Sequence, residues 1–141
     1  MKTPLHLWIV GVLSLLWNAG SGYDYLMTRL ESTAYLAVLT ESQRAFLDAA
    51  PMWFNATWAI GVWFAILGSI LLLFRARLAL TCFGFSVLGL LASSVYSFGL
   101  ATPTTFEIMG TTAIWFSAAI TVVLILLYLY ARLMTRRGVL R

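Results

Sequence analysis

The chain has 141 residues, of which 62% are hydrophobic, 15% are aromatic and only 10% are charged, and its net charge is +4. Soluble domains carry about 25% charged residues and disordered chains are poor in aromatic residues, so the composition excludes both classes. The single cysteine, Cys82, excludes a disulfide scaffold. The remaining class is an integral membrane protein with an all-α fold.

Four apolar stretches are long enough to cross a bilayer as helices, which takes about 20 residues. They cover residues 5–28, 52–74, 78–100 and 108–133. A membrane β-strand has about ten residues of alternating polarity, whereas these stretches are apolar on every side. Short connections favour an up-and-down four-helix bundle, so residues 1–141 are predicted to form a single transmembrane domain.

The first span has an alternative interpretation. Lys2, the apolar run 5–17 and the small residues 19–21 resemble a secretory signal peptide. Because apolar character continues to Met27, the sequence favours retention of this segment as a span. Cleavage would leave three spans whose orientations are unchanged.

Residues 29–51 separate the first two spans and contain one proline and no glycine. A short apolar helix is expected first. Thr40 and Gln43 then match the capping box, in which a hydroxyl and an amide satisfy free N–H groups at a helix start, and they predict a second helix over about 41–49. The segment is therefore predicted to form a short helical cap on the noncytoplasmic side, with a lid or docking surface as the alternative.

Charge predicts the orientation, because lysine and arginine stay in the cytoplasm. Seven basic residues and no acidic one fall on the side that holds both chain ends: Lys2, Arg75, Arg77, Arg132, Arg136, Arg137 and Arg141. The opposite side has all five acidic residues. Both termini are therefore predicted to be cytoplasmic. No basic soluble surface exists that would bind nucleic acid.

The cytoplasmic tail, residues 134–141, is strongly basic. Together with the end of the last span it supplies the residues expected to anchor the chain on anionic lipid: Arg132, Arg136, Arg137 and Arg141. The lipid bilayer is therefore the first predicted partner. A larger membrane complex or a second copy of the chain is the second.

Polar residues of the spans concentrate in their noncytoplasmic halves, which predicts a polar cleft open to that side. The candidate residues are Asn18, Ser21, Asp24, Asn55, Ser94, Glu107 and Thr111. Asn18 is expected to form hydrogen bonds between helices. Asp24 is expected either to pair with Arg29 or cap a neighbouring helix, or to contact a solute or partner.

Small residues at helical spacing predict close helix contacts, either within the bundle or with a partner. They are Gly61, Ala65, Ser69, Gly89 and Ser93. His6 is the only histidine and has no cysteine or carboxylate at ligand spacing, so no metal site is predicted. Because catalytic and phosphate-binding motifs are also missing, no catalytic residue and no cofactor is predicted.

Several stretches carry a family resemblance. LLWNAG at 15–20, YDYLMT at 23–28, WAIGVW at 58–63 and Gly68-Ser69 before Arg75 resemble small, generally uncharacterised four-span inner-membrane proteins of proteobacteria, some of which are labelled sugar-transporter-like. The resemblance covers about the first two-thirds of the chain. It implies a bacterial inner-membrane location and a shared four-helix fold, and it implies no catalytic residues.

Three functions follow as expectations. The first is a noncatalytic accessory or structural subunit of a larger membrane complex, since the chain is small and lacks catalytic motifs. The second is a small solute carrier for sugar-like molecules, since the polar residues face outward. A membrane enzyme that handles quinone or lipid is the third.

Overall fold

The computed structural model describes residues 2–30 and 32–141, and these residues form helices and no strand. The helices are α1 (Leu5–Arg29), α2 (Thr33–Leu36), α3 (Glu41–Ala49), α4 (Met52–Leu73), α5 (Leu78–Val95), α6 (Thr105–Met109) and α7 (Thr111–Arg136). A π-helical turn, Tyr96–Leu100, continues α5. Four of these elements, α1, α4, α5 with its π-turn, and α7, are long and apolar enough to cross a membrane. The all-α class is confirmed.

The last long helix starts later than the sequence predicts. Residues 108–109, predicted to begin the fourth span, belong instead to the separate short helix α6. Thr104 and Glu107 form a capping box that begins α6. The helical conformation is then interrupted at Gly110, whose φ is +67°. Glycine adopts this conformation readily and other residues rarely do. The helix therefore breaks at this glycine.

Helix α4 lies between α1 and α5. Gly11 of α1 faces Leu73 of α4 and Gly22 faces Ile66, so these two helices are antiparallel. The other main interfaces join α4 to α5 and α5 to α7. Helices α1 and α7 approach each other at one end, where His6 Nδ1 and the Tyr130 hydroxyl form a hydrogen bond.

That end of the molecule, here called the tail end, is closed. Leu7, Phe83, Met134 and Leu140 belong to one hydrophobic core, and each has at most 1% of its surface exposed. The C-terminal segment is held against the turn between α4 and α5, where Arg75 Nε donates to Val139 O at 3.2 Å. Only the apolar part of the predicted basic tail is therefore buried.

The four arginines expected to anchor on lipid have exposed side chains at this same tail end. They are Arg132, Arg136, Arg137 and Arg141. Their positions leave the guanidinium groups free to reach a membrane surface, and their lipid contact stays a prediction.

The opposite end, here called the cap end, carries α2 and α3. Thr40 and Gln43 form the capping box that the sequence predicts. The Arg44 side chain donates through Nε and Nη2 to Leu36 O at 2.9 and 2.6 Å, which fastens α3 to the end of α2. Phe46 of α3 packs on Phe54, with ring centroids 5.9 Å apart. The cap is therefore docked on the start of α4 by an aromatic contact.

Candidate binding cleft

A cleft of about 640 Å³ lies between the cap-end halves of α1 and α7, with α4 and α5 at its back. Its wall is mostly apolar and includes Trp17, Val62, Leu90, Phe116 and Ile120. The polar residues that reach it are Asn18, Ser21, Asp24, Ser93 and Ser117. The cleft exists because α1 and α7 pack together only near the tail end.

A smaller cavity of about 290 Å³ continues toward the cap, between α1, α3, α4 and α6. Asp24, Trp58 and Phe116 line both cavities. These three residues therefore mark the junction between a space beside the helices and a space under the cap.

Asn18 is the most informative residue of the cleft, because only 6% of it is exposed. Its Nδ2 donates to Ser69 Oγ at 2.9 Å and to Ala65 O at 3.3 Å. A backbone carbonyl only accepts, so the amide nitrogen must face α4. The amide oxygen has no hydrogen-bond partner among the described residues, yet no buried polar atom there is unsatisfied. The oxygen is therefore accessible, and Asn18 lines the cleft.

Asp24 lies at the mouth of the cleft. Its Oδ1 accepts a hydrogen bond from the Tyr35 hydroxyl of α2. The partner of this carboxylate is therefore a residue of the cap, rather than Arg29, which the sequence made the first candidate. Tyr35 was not among the predicted site residues, because no spacing rule connects a loop tyrosine to a particular residue of the preceding helix.

Three of the seven predicted cleft residues, Asn18, Ser21 and Asp24, come together in the structure. The other four lie elsewhere: Asn55 in the first turn of α4, Ser94 on α5, Glu107 in α6 and Thr111 at the start of α7. Ser94 Oγ donates to Leu90 O on its own helix at 2.8 Å. This bond satisfies the Ser94 hydroxyl within its own helix, and Ser94 does not line the cleft.

Ser117 is a cleft residue that the candidate set lacks. It lies on the same face of α7 as Ile120 and Leu124, which also line the cleft. Residues three and seven positions apart share a helix face, so this spacing is the signal by which Ser117 was detectable.

The predicted small residues all lie at contacts between helices of this chain. Gly61 and Gly89 bring α4 and α5 together, since a Cβ atom on Gly89 would lie 2.7 Å from Gly61 N. Ala65 and Ser69 receive the Asn18 amide. Ser93 Oγ donates to Thr57 Oγ1 at 3.1 Å, across the same α4–α5 interface.

The described charged groups that line the two cavities are negative only. Asp24 is the one charged residue among the described side chains that line them, and no lysine, arginine or histidine does so. In the described ranges, no group of three histidine, cysteine, aspartate or glutamate side chains is placed to hold a metal ion. The cleft is thus an apolar site with hydrogen-bond acceptors and a single negative group.

Comparison of the chain with protein-family models, with curated proteins and with solved structures found no match. The cleft is therefore the feature from which a function is inferred.

Proposed function

We propose that this chain is a noncatalytic multi-pass membrane protein that binds a small molecule in the cleft between α1 and α7. The carrying observation is the accessible oxygen of Asn18, a residue with 6% exposure, in a largely apolar cleft of about 640 Å³. Protein interiors contain few voids larger than a water molecule, so an open space of this size beside a buried amide supports binding.

The orientation belongs to the same proposal. The chain spans a bacterial inner membrane four times as an up-and-down bundle, with both ends in the cytoplasm. All basic residues except Arg29 and Arg44 lie toward the tail end, and the positive-inside rule places that end in the cytoplasm. The cleft then lies in the noncytoplasmic half of the membrane, with the cap over its end.

A matched pair of glycine substitutions tests the cleft. Gly20 lines it, and a Cβ atom built there has no described atom within 4 Å. Gly99 has equally free space but lies outside both cavities. We expect Gly20→Leu to fill part of the cleft, whereas Gly99→Leu leaves it open.

The measurement is native mass spectrometry of the protein extracted into nanodiscs with its own lipids. The expected result is a small molecule retained by the unchanged protein and by Gly99→Leu, and lost from Gly20→Leu. Equal retention by both variants, or no retained molecule at all, contradicts binding in this cleft.

The accessory-subunit hypothesis is the second candidate, and α7 is the observation that favours it. This helix is the least covered of the four long helices, and Trp115 at its cap end is 75% exposed. A partner helix in the membrane would cover this face. Size analysis after gentle solubilisation tests the idea, since a monomer without co-purifying protein contradicts it.

Transport goes one step beyond binding. The tail-end core that contains Leu7 and Met134 closes the cleft toward the cytoplasmic side. A carrier would therefore have to separate α1 from α7 at His6 and Tyr130 to release a solute inward. The quinone- or lipid-handling enzyme has no residue cluster in its favour within the described ranges.

A further inference from the structure

Resting on the proposed binding function, we infer that the ligand is a lipophilic cation, an ammonium-bearing amphiphile that enters from the lipid between α1 and α7. Its N–H groups bond to acceptors on the α1 wall, and its charge is met by Asp24.

The negative charge of Asp24 disfavours an anionic ligand. Asp24 is the one ionisable side chain among the described residues at the junction of the two cavities, and no cation lines either of them. A phosphate or carboxylate would lie beside a like charge, which raises the interaction energy. A protonated amine would instead pair with Asp24.

The hydrogen-bonding groups on the α1 wall favour a ligand that carries donor groups. The Asn18 nitrogen is already bonded to α4, so only its oxygen is offered to the cleft. Asp24 accepts through one oxygen from Tyr35, and an ionised carboxylate has further acceptor sites on its second oxygen. Asn18 and Asp24 are about 9 Å apart along the helix axis, with Ser21 between them. The α1 wall thus offers acceptor oxygens at Asn18 and Asp24, and between them the Ser21 hydroxyl, which can accept or donate. A ligand with N–H groups satisfies these acceptors.

Aromatic rings surround the same point. Trp58 and Phe116 line the junction together with Asp24. Trp58 is held by an edge contact with Tyr25, at a centroid distance of 4.8 Å. Rings with a nearby carboxylate are a combination that receives ammonium groups, because the ring faces carry negative potential.

The opening has an apolar rim. Leu16 on α1 is 66% exposed and Phe116 on α7 is 62% exposed, and both line the cleft. The cap covers the noncytoplasmic end, whereas the side between α1 and α7 is uncovered. An apolar ligand body therefore has a lateral path from the acyl chains into the cleft.

The test uses three probes with one rigid apolar body and different head groups: adamantan-1-amine, adamantan-1-ol and adamantane-1-carboxylate. Binding to the full chain in nanodiscs is followed by tryptophan fluorescence, because Trp17 and Trp58 line the cleft. Empty nanodiscs correct for partition into lipid. Asp24→Asn removes the charge and keeps an acceptor for Tyr35, and Asp48→Asn is the matched control on the exposed part of α3.

We expect the amine to bind about tenfold more tightly than the alcohol, and the carboxylate to bind weakest. Asp24→Asn should abolish the preference for the amine, and Asp48→Asn should leave it unchanged. The inference is overturned if the amine fails to bind, if the carboxylate binds as well as the amine, or if Asp24→Asn keeps the preference.

The two proposals fail in different ways. If the probes bind without a head-group preference and Gly20→Leu abolishes their binding, the cleft is a binding site and the cationic class is wrong. If Gly20→Leu changes the binding of no probe, the cleft is not the binding site and the proposed function fails with it.

Discussion

At the scale of single residues, Asn18 contacts α4 with its amide nitrogen and faces the cleft with its amide oxygen. Its amide nitrogen bonds to Ser69 and to Ala65 O of α4, and its oxygen is left for the cleft. The interhelical hydrogen bonds expected of a buried asparagine are thus confirmed. Because the donors are used within the bundle, the side chain offers a ligand only an acceptor.

Asn18→Leu removes this link while keeping a side chain of similar size. Ser69 Oγ remains bonded to Ala65 O at 2.9 Å, so no donor is orphaned on α4. We expect the free energy of unfolding in mixed micelles to fall by about 1 kcal/mol, the usual range for such bonds in membranes.

Ser21→Ala is the control, because Ser21 lines the cleft without a side-chain hydrogen bond to any described residue. It should change the free energy of unfolding by about 0.5 kcal/mol or less. Equal effects of the two substitutions would mean that the Asn18 bonds do not stabilise the α1–α4 pair.

At the scale of helices, glycine decides how closely α4 and α5 approach. A Cβ atom on Gly89 would lie 2.7 Å from both Gly61 N and Thr57 O. Both are backbone atoms, which cannot rotate away as a side chain does. The close approach also lets Ser86 Oγ donate to Gly61 O.

Gly89→Ala should therefore force the two helices apart. We expect the unfolding free energy to fall by about 1–3 kcal/mol, the usual cost of overpacking. Gly84→Ala is the matched control on the same helix, since its new Cβ would lie 3.6 Å from the Tyr128 ring, an ordinary contact. If both variants unfold alike, the α4–α5 contact is not limited by the backbone.

At the scale of the whole molecule, the order of helix contacts creates the cleft. Main interfaces join α1 to α4, α4 to α5 and α5 to α7. The first and last of the long helices come together near the tail end through Leu7, His6 and Tyr130. Their other halves are left with a space between them, which the cap covers from the end but not from the side.

Cysteine labelling tests the proposed orientation of the molecule. In a Cys82→Ala background, which removes the buried natural thiol, single cysteines replace Ser42 of the cap or Thr3 near the tail end. With both chain ends in the cytoplasm, a membrane-impermeant maleimide applied to intact cells should label Ser42→Cys. Thr3→Cys should react only after the cells are opened.

The reverse labelling pattern would show that both chain ends lie on the noncytoplasmic side. Labelling of both positions in intact cells would contradict an even number of spans. Thr3→Cys also tests retention of the first span, since a cleaved leader would remove that thiol from the mature chain.

Much of the fold was predictable because long apolar helices are encoded by residues close together in the chain. Long apolar runs predict helices, since backbone groups must be satisfied within the segment in lipid. Thr40 and Gln43 predict the start of α3, because a capping box involves only neighbouring residues. The same pattern at Thr104 and Glu107 predicts the start of α6. The break between α6 and α7 lies at Gly110 and is not part of that pattern.

The site was predictable only in part. Asn18, Ser21 and Asp24 follow one another at three-residue spacing on α1, which favours neighbouring positions on the helix surface, and all three line the cleft. Glu107 and Ser94 have suitable chemistry, but their side chains bond locally in a capping box and on the helix backbone. Position along each span predicts which residues lie at the same depth. It does not predict how each helix is rotated about its axis, and the rotation decides which side chains face the cleft.

The sequence by itself determined the all-α class, the four long apolar helices and the separation of charge, because these depend on composition and on residues close together in the chain. Tertiary structure decided that α1 and α7 stay apart at the cap end, that Asn18 turns its oxygen away from α4, and that Tyr35 reaches Asp24. These features depend on helix rotation and packing between distant segments. Local sequence patterns do not predict these contacts, because apolar helix faces are chemically alike and give no sign of how each helix is rotated.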